Sequence, residues 1–293
     1  MPINCDPIFT NALACHRAGQ LQQAAKLYRQ ILNIDCDHAQ ASNNLGAIFM
    51  SLGSLNEAVS CFKNALNANT DFFEARLNLA KALKKSGKYR EAIDRFSQVL
   101  AIKPDHIPAY LDLSFLCFQL GNTGGAIDCC KKALELEPEC ADAYNNLGNA
   151  LVSLGDIPAA LESYRQALQI RPDRADVYFN LANALKGCGR LPTAIENYHR
   201  ALVLTPDYVD AHWNLSHALL LSGNFLDGWR EYEWRFQLPG QKDIYPHRYE
   251  VPRWEGSSFK GKRLLVHDEQ GLGDTLQFMR YLPLVREASM IRR

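Results

Sequence analysis

The chain has 293 residues, 47% of them hydrophobic, which is ample apolar material for a folded body. Its 32 basic and 32 acidic side chains cancel, which argues against a strongly basic nucleic-acid binder. Nine cysteines, an odd number with no pair at C-x-x-C spacing, speak against both a metal site and a disulfide framework and point to a reducing compartment.

The first residues, MPINCDPIFTNALACHRAG, carry no basic region ahead of a long apolar stretch. No segment approaches the roughly 20 apolar residues that a membrane-spanning helix needs. A soluble, cytoplasmic chain with no membrane partner is expected.

From Cys5 onward a 34-residue period runs without insertion to about Leu238, in seven units that begin near Cys5, Ala39, Phe73, Ile107, Ala141, Ala175 and Val209. Prolines close several of them, at Pro104, Pro138, Pro172 and Pro206. Within the fifth unit Tyr144, Leu147, Gly148 and Leu151 mark one face of a first helix, Gly155 permits a turn, and Ala160, Tyr164 and Ala167 mark a second helix. The third unit repeats the scheme with Leu79, Ala80, Leu83, Gly87, Ala92 and Phe96. Small residues such as Gly148, Ala80, Ala92 and Ala160 stand where two helices must approach closely. Cys15, Cys117 and Cys130 fall at core positions, where a free thiol acts as a small apolar group.

This pattern resembles the tetratricopeptide repeat (TPR) over about four fifths of the chain. The resemblance implies an all-α fold, a right-handed superhelix (α-solenoid) of seven helical hairpins whose first helices line a concave wall. At about 100° per residue, unit positions 4, 7, 8 and 11 form the packed stripe and positions 2, 6, 9 and 13 the opposite one. Position 6 reads Thr10, Asn44, Asn78, Asp112, Asn146, Asn180 and Asn214. Asparagine is a mediocre helix former, so its recurrence at one phase needs a reason. A carboxamide both donates and accepts, and can therefore engage a peptide backbone without reading side chains. Two other readings compete: a relic of duplication, or hydrogen bonds between adjacent helices that stiffen the stack. Duplication alone predicts equal retention elsewhere, yet position 13 reads Ser51, Lys85, Gln119, Ser153, Gly187 and Leu221.

A similar asparagine ladder marks the O-linked N-acetylglucosamine transferase family, where it holds the polypeptide substrate. Carried over, that role falls on Asn44, Asn78, Asn146, Asn180 and Asn214. Asp112 departs from the pattern, because a carboxylate cannot donate, and a peptide would have to present an N–H there, or a cation. Asn149 and Asn183 extend the polar wall at position 9. Asp142, Asp176 and Asp210 would favour basic or hydroxyl-bearing segments, or else serve as first-turn residues that complement the helix dipole.

The seventh unit departs at its second helix, with Gly228 for the expected alanine and Arg235 for a small residue. Terminal repeats must cover an open apolar face, so Trp229, Tyr232 and Phe236 are expected to pack forward, against the segment after the repeat. Residues 239–262, rich in proline, glycine and charge, read as a linker. From 263 to 293 an apolar strand precedes a glycine loop and a helix that opens at Thr275, the start of a nucleotide-binding-type α/β domain. Asp274 and Gln277 also make a capping box, which needs no chemistry.

TPRs followed by GWREYEWRF, PRWEG and LLVHDEQGLGDTLQFMRYLPLV resemble bacterial TPR-containing glycosyltransferases of the two-Rossmann-domain (GT-B) type. That resemblance gives Asp274 the part of a catalytic base and Gly271 and Gly273 that of a substrate loop. A nucleotide sugar would be bound only if the remainder of such a domain were supplied; no cofactor is expected otherwise. Catalysis by this chain alone is not expected, because one strand cannot make a parallel sheet. Its exposed edge could also drive self-association.

Overall fold

The computed structural model describes residues 5–238. Two compact units divide the chain, Met1–Cys188 and Gly189–Arg293. Among the described residues every regular element is helical.

The first unit holds α1 (Asp6–Arg17), α2 (Leu21–Ile34), α3 (Ala39–Ser51), α4 (Leu55–Ala68), α5 (Phe73–Lys85), α6 (Tyr89–Ile102), α7 (Ile107–Gln119), α8 (Thr123–Leu136), α9 (Ala141–Leu154), α10 (Ile157–Ile170) and α11 (Ala175–Gly187). The second holds α12 (Leu191–Leu204), α13 (Val209–Leu221), α14 (Phe225–Tyr232) and a 3-10 turn, Glu233–Gln237. The division between them falls within the sixth repeat.

Each repeat is a helical hairpin, and one glycine makes each turn. Gly19, Gly53, Gly87, Gly121, Gly155, Gly189 and Gly223 all have positive φ, between 74° and 87°. A side chain there would meet nothing within 4 Å, so the requirement is conformational. Gly46 and Gly148 serve a different purpose. A Cβ on Gly148 would stand 2.5 Å from the Tyr164 ring, and one on Gly46 would stand 2.7 Å from Phe62. Small residues at unit position 8 thus seat the large residue at position 24 of the same hairpin, and Tyr28, Phe62 and Phe96 are fully buried there.

The buried stripe of the first helices is wider than the expected set of positions 4, 7, 8 and 11. Positions 3 and 10 are also buried from the second repeat on, as at Ala41 and Ile48, Ala75 and Ala82, and Ala143 and Ala150. In the first unit a first helix packs against the second helix of its own hairpin and against that of the hairpin before, as α3 does with α4 and α2. It is therefore apolar on two sides, and only its remaining face meets solvent.

Residues 263–293, expected to open an α/β domain, lie outside the described residues, as does the linker. The segment against which Trp229, Tyr232 and Phe236 are expected to pack lies outside the described residues. Tyr232 packs onto Trp213 of α13, with ring centroids 5.0 Å apart. Trp234 likewise stacks on His212 at 3.8 Å, and the buried Arg235 guanidinium lies over Tyr232 and Phe236. Trp229 remains 55% exposed.

Candidate functional site

Position 6 lies on the solvent-facing side of each first helix, where Asn44, Asn78, Asp112, Asn146 and Asn180 of the first unit are half-buried. Their carboxamides are not idle. Asn78 Nδ2 donates to Asn43 Oδ1 at 3.0 Å, Asn180 Nδ2 to Asn145 Oδ1 at 3.0 Å, and Asn146 Nδ2 to Ser114 Oγ at 2.9 Å. Asn44 Nδ2 donates to the Tyr28 hydroxyl at 3.3 Å. Each bond runs back to the preceding repeat. The row therefore does bridge neighbouring hairpins, as one of the competing readings of the sequence supposes.

The orientation of Asn146 follows from its partner. Ser114 Oγ gives its own proton to the Leu111 carbonyl at 2.8 Å, so toward Asn146 it can only accept. Asn146 must present its NH2 group there, which leaves its carbonyl oxygen for another donor. Among the described residues no group donates to Oδ1 of Asn78, Asn146 or Asn180.

Asp112 receives Lys84 Nζ at 2.6 Å, and the same ammonium lies 4.7 Å from the Phe115 ring centre. Thr10 Oγ1 donates to the Asp6 carbonyl. In the second unit Asn214 Nδ2 donates within its own helix to the Asp210 carbonyl at 2.9 Å. At position 9, Asn149 accepts from the buried Tyr164 hydroxyl at 2.7 Å, which fixes its carbonyl toward its own hairpin. Burial pushes the Tyr164 phenol well above its usual range, so it remains a donor. Asn183 is half-buried on α11.

The acidic flank is corrected by Arg174, which sequence reading passes over. This guanidinium, 18% exposed, bonds Asp142 and Asp176 at 2.6 Å each, and its Nε also reaches Asp176 at 2.8 Å. Hydrogen bonding to Arg174 holds the Asp176 carboxyl below its ordinary range. One guanidinium offsets only one of these two carboxylate charges, so the flank at the fifth and sixth repeats stays acidic and its preference for basic segments is weakened. Both still occupy the first turns of their helices.

In the second unit, buried His212 has Glu231 on Nδ1 and the Pro206 carbonyl 2.8 Å from Nε2. A carbonyl only accepts, so Nε2 carries a proton. No group of three or more His, Cys, Asp or Glu able to hold a metal occurs among the described residues. No described helix is long and apolar enough to cross a membrane. Asp274, Gly271 and Gly273 lie outside the described residues.

Comparison with known proteins places the repeat firmly. Residues 148–188 and 183–223 match a TPR repeat model, and residues 49–114 and 83–147 match a second tetratricopeptide repeat model. Together the matches span 49–223, more than half of the chain. FlbA of Caulobacter vibrioides is 42% identical over 71 residues, a stretch covering 24% of this chain and 11% of FlbA.

Among solved structures, a thermophilic TPR protein of Thermus thermophilus, TTC0263, is similar at 27% identity and TM-score 0.53, over 62% of this chain and 99% of that one. A tetratricopeptide repeat protein from Parabacteroides merdae is similar at 16% identity and TM-score 0.71, over 82% and 95%. YrrB, a TPR protein with an unusual peptide-binding site, is similar at 20% identity and TM-score 0.51, over 64% and 96%. The last two likenesses speak for the fold.

Proposed function

Because the chain belongs to the tetratricopeptide repeat family, we propose that it is a protein-interaction module that holds a polypeptide segment along the position-6 face of its first helices. The observation that carries this reading is the row of carbonyl oxygens at Asn78, Asn146 and Asn180, each half-buried and without an intramolecular donor among the described residues. Polar groups positioned by a rigid scaffold, yet lacking a partner, suit a ligand whose own polar groups recur. A structural relative, YrrB, bears a peptide-binding site, which is in keeping with this use of the fold.

The finer reading makes this module the substrate-recognition region of a protein glycosyltransferase, not catalytic by itself. It rests on the sequence motif at 263–293, in which Asp274 would act as base and Gly271 and Gly273 as substrate loop. A glycosyltransferase completed by a missing or separate domain is the alternative. Transfer of sugar from a nucleotide sugar to peptide once such a domain is supplied to the chain would favour the alternative.

A peptide array tests the module itself, with the intact chain and an Asn78→Ala, Asn146→Ala, Asn180→Ala variant, both followed by circular dichroism. Wild type is expected to capture extended peptides, and the variant to bind at least about tenfold more weakly at unchanged helicity. A blank wild-type array, or equal binding by the folded variant, would overturn the reading.

A further inference from the structure

The direction of the ladder hydrogen bonds says which part of a polypeptide the row reads and in what conformation, an inference that rests on the peptide-binding reading. The NH2 groups of Asn78, Asn146 and Asn180 are spent on Asn43, Ser114 and Asn145 of the preceding repeats. What each leaves without a donor among the described residues is a carbonyl oxygen. Asp112, a break in the pattern if the row must donate, fits the row once the row accepts. Its Oδ1 takes the Lys84 ammonium and its Oδ2 remains an acceptor. Four consecutive repeats, the third to the sixth, thus present acceptors at one position, and the matching ligand group is a backbone N–H.

Spacing then selects the conformation. Packed helices lie about 8–10 Å apart, and the contacts Lys84–Asp112, Asn146–Ser114 and Asn180–Asn145 join the consecutive first helices of the row, α5, α7, α9 and α11. A β-strand repeats its facing every two residues, about 6.6 Å, and three of its residues point the third group to the opposite side. A polyproline II helix has three residues per turn and rises about 9.3 Å in that turn, so residues i, i+3 and i+6 face the same way at the spacing of packed helices.

We infer that the row Asn78, Asp112, Asn146 and Asn180 recognises a polypeptide in the polyproline II conformation through backbone N–H groups at every third residue. Those facing residues must not be proline, because proline has no N–H. The two residues between them are free to be proline, and proline there reduces the ordering entropy of the ligand.

Fluorescence anisotropy with labelled peptides of roughly twelve residues tests this on the full chain. The probes are an Ala-Pro-Pro repeat, the same peptide with every alanine N-methylated, and an alternating Thr-Val peptide of equal length. The expected result is binding of the Ala-Pro-Pro peptide, at least about tenfold weaker binding after N-methylation, and weaker binding of the Thr-Val peptide. Equal binding of methylated and unmethylated peptides, or tightest binding by Thr-Val, would overturn the inference and leave the peptide-binding reading standing. Binding by none of these, together with a blank peptide array, would overturn both.

Discussion

Two glycines in one hairpin illustrate why identical residues carry different loads. Gly155 ends α9 with φ +87° and open space around it, whereas Gly148 sits against the Tyr164 ring. Gly155→Ala is expected to cost about 1–2 kcal/mol through backbone conformation. Gly148→Ala must displace a buried ring and is expected to cost about 1–3 kcal/mol. Denaturant melts of the two variants, each with and without Tyr164→Leu, separate the causes: the second substitution should relieve only the Gly148 variant. Both glycines are legible in sequence, since each recurs at a fixed position or alternates there with another small residue.

The thiols make a second residue-scale case. Burial pushes Cys130 up to about 11 and Cys129 up to about 12, from an ordinary 9.0. As pH rises past about 9 the unfolded thiols lose their protons first, so stability is full below about 9 and falls through the interval up to about 11–12. Urea midpoints measured across that interval should fall, and less steeply in Cys130→Ala. Exposed Cys36 and Cys188 should alkylate before Cys130 does.

Among the elements of the first unit, α8 is the least favoured by its own sequence. It carries Gly124 and Gly125 in its first turn, and Cys130 stands where most other repeats place Tyr or Phe. A Cβ on Gly124 would meet nothing, while one on Gly125 would stand 2.6 Å from the capping side chain of Asn122, which accepts from the Gly125 amide. Gly124→Ala should therefore stabilise by about 0.4–1 kcal/mol and Gly125→Ala should gain less or lose. Thermal melts decide this directly.

Between elements, Arg174 ties the starts of α9 and α11 through Asp142 and Asp176. These carboxylates are about half exposed, so Arg174→Ala should cost under about 1 kcal/mol in stability. It should also uncover two negative charges beside the row. Lysine-rich peptides should then bind the variant more tightly than wild type, with the gain vanishing at high salt. The helices and turns are readable because they recur every 34 residues. The Arg174 bridge and the His212–Trp234 stack are not, because each occurs once and joins residues brought together only by the fold. The inter-repeat partners fall between these cases: the Asn43–Asn44 and Asn145–Asn146 doublets are visible, but their pairing with the following repeat needs the hairpins to be stacked.

At the scale of the molecule, contacts are local. In the first unit, helices touch their sequence neighbours or, as with α3 and α5 or α7 and α9, the first helix of the next repeat. Stability in such an array is a sum of repeat and nearest-neighbour terms. The row of acceptors is a collective product of this stacking, since each carboxamide is oriented by the repeat before it. A single repeat excised from the array would have the asparagine and lack the orientation.

The most direct test of the row as a recognition surface is side-chain amide NMR of the asparagine-labelled chain titrated with a captured peptide. The expected result is perturbation of the Asn78, Asn146 and Asn180 carboxamide resonances, with those of Asn122 and Asn224 at the hairpin turns unmoved. Perturbation confined to the turns, or to the indole of the exposed Trp229, would contradict the account and place binding elsewhere on the repeats.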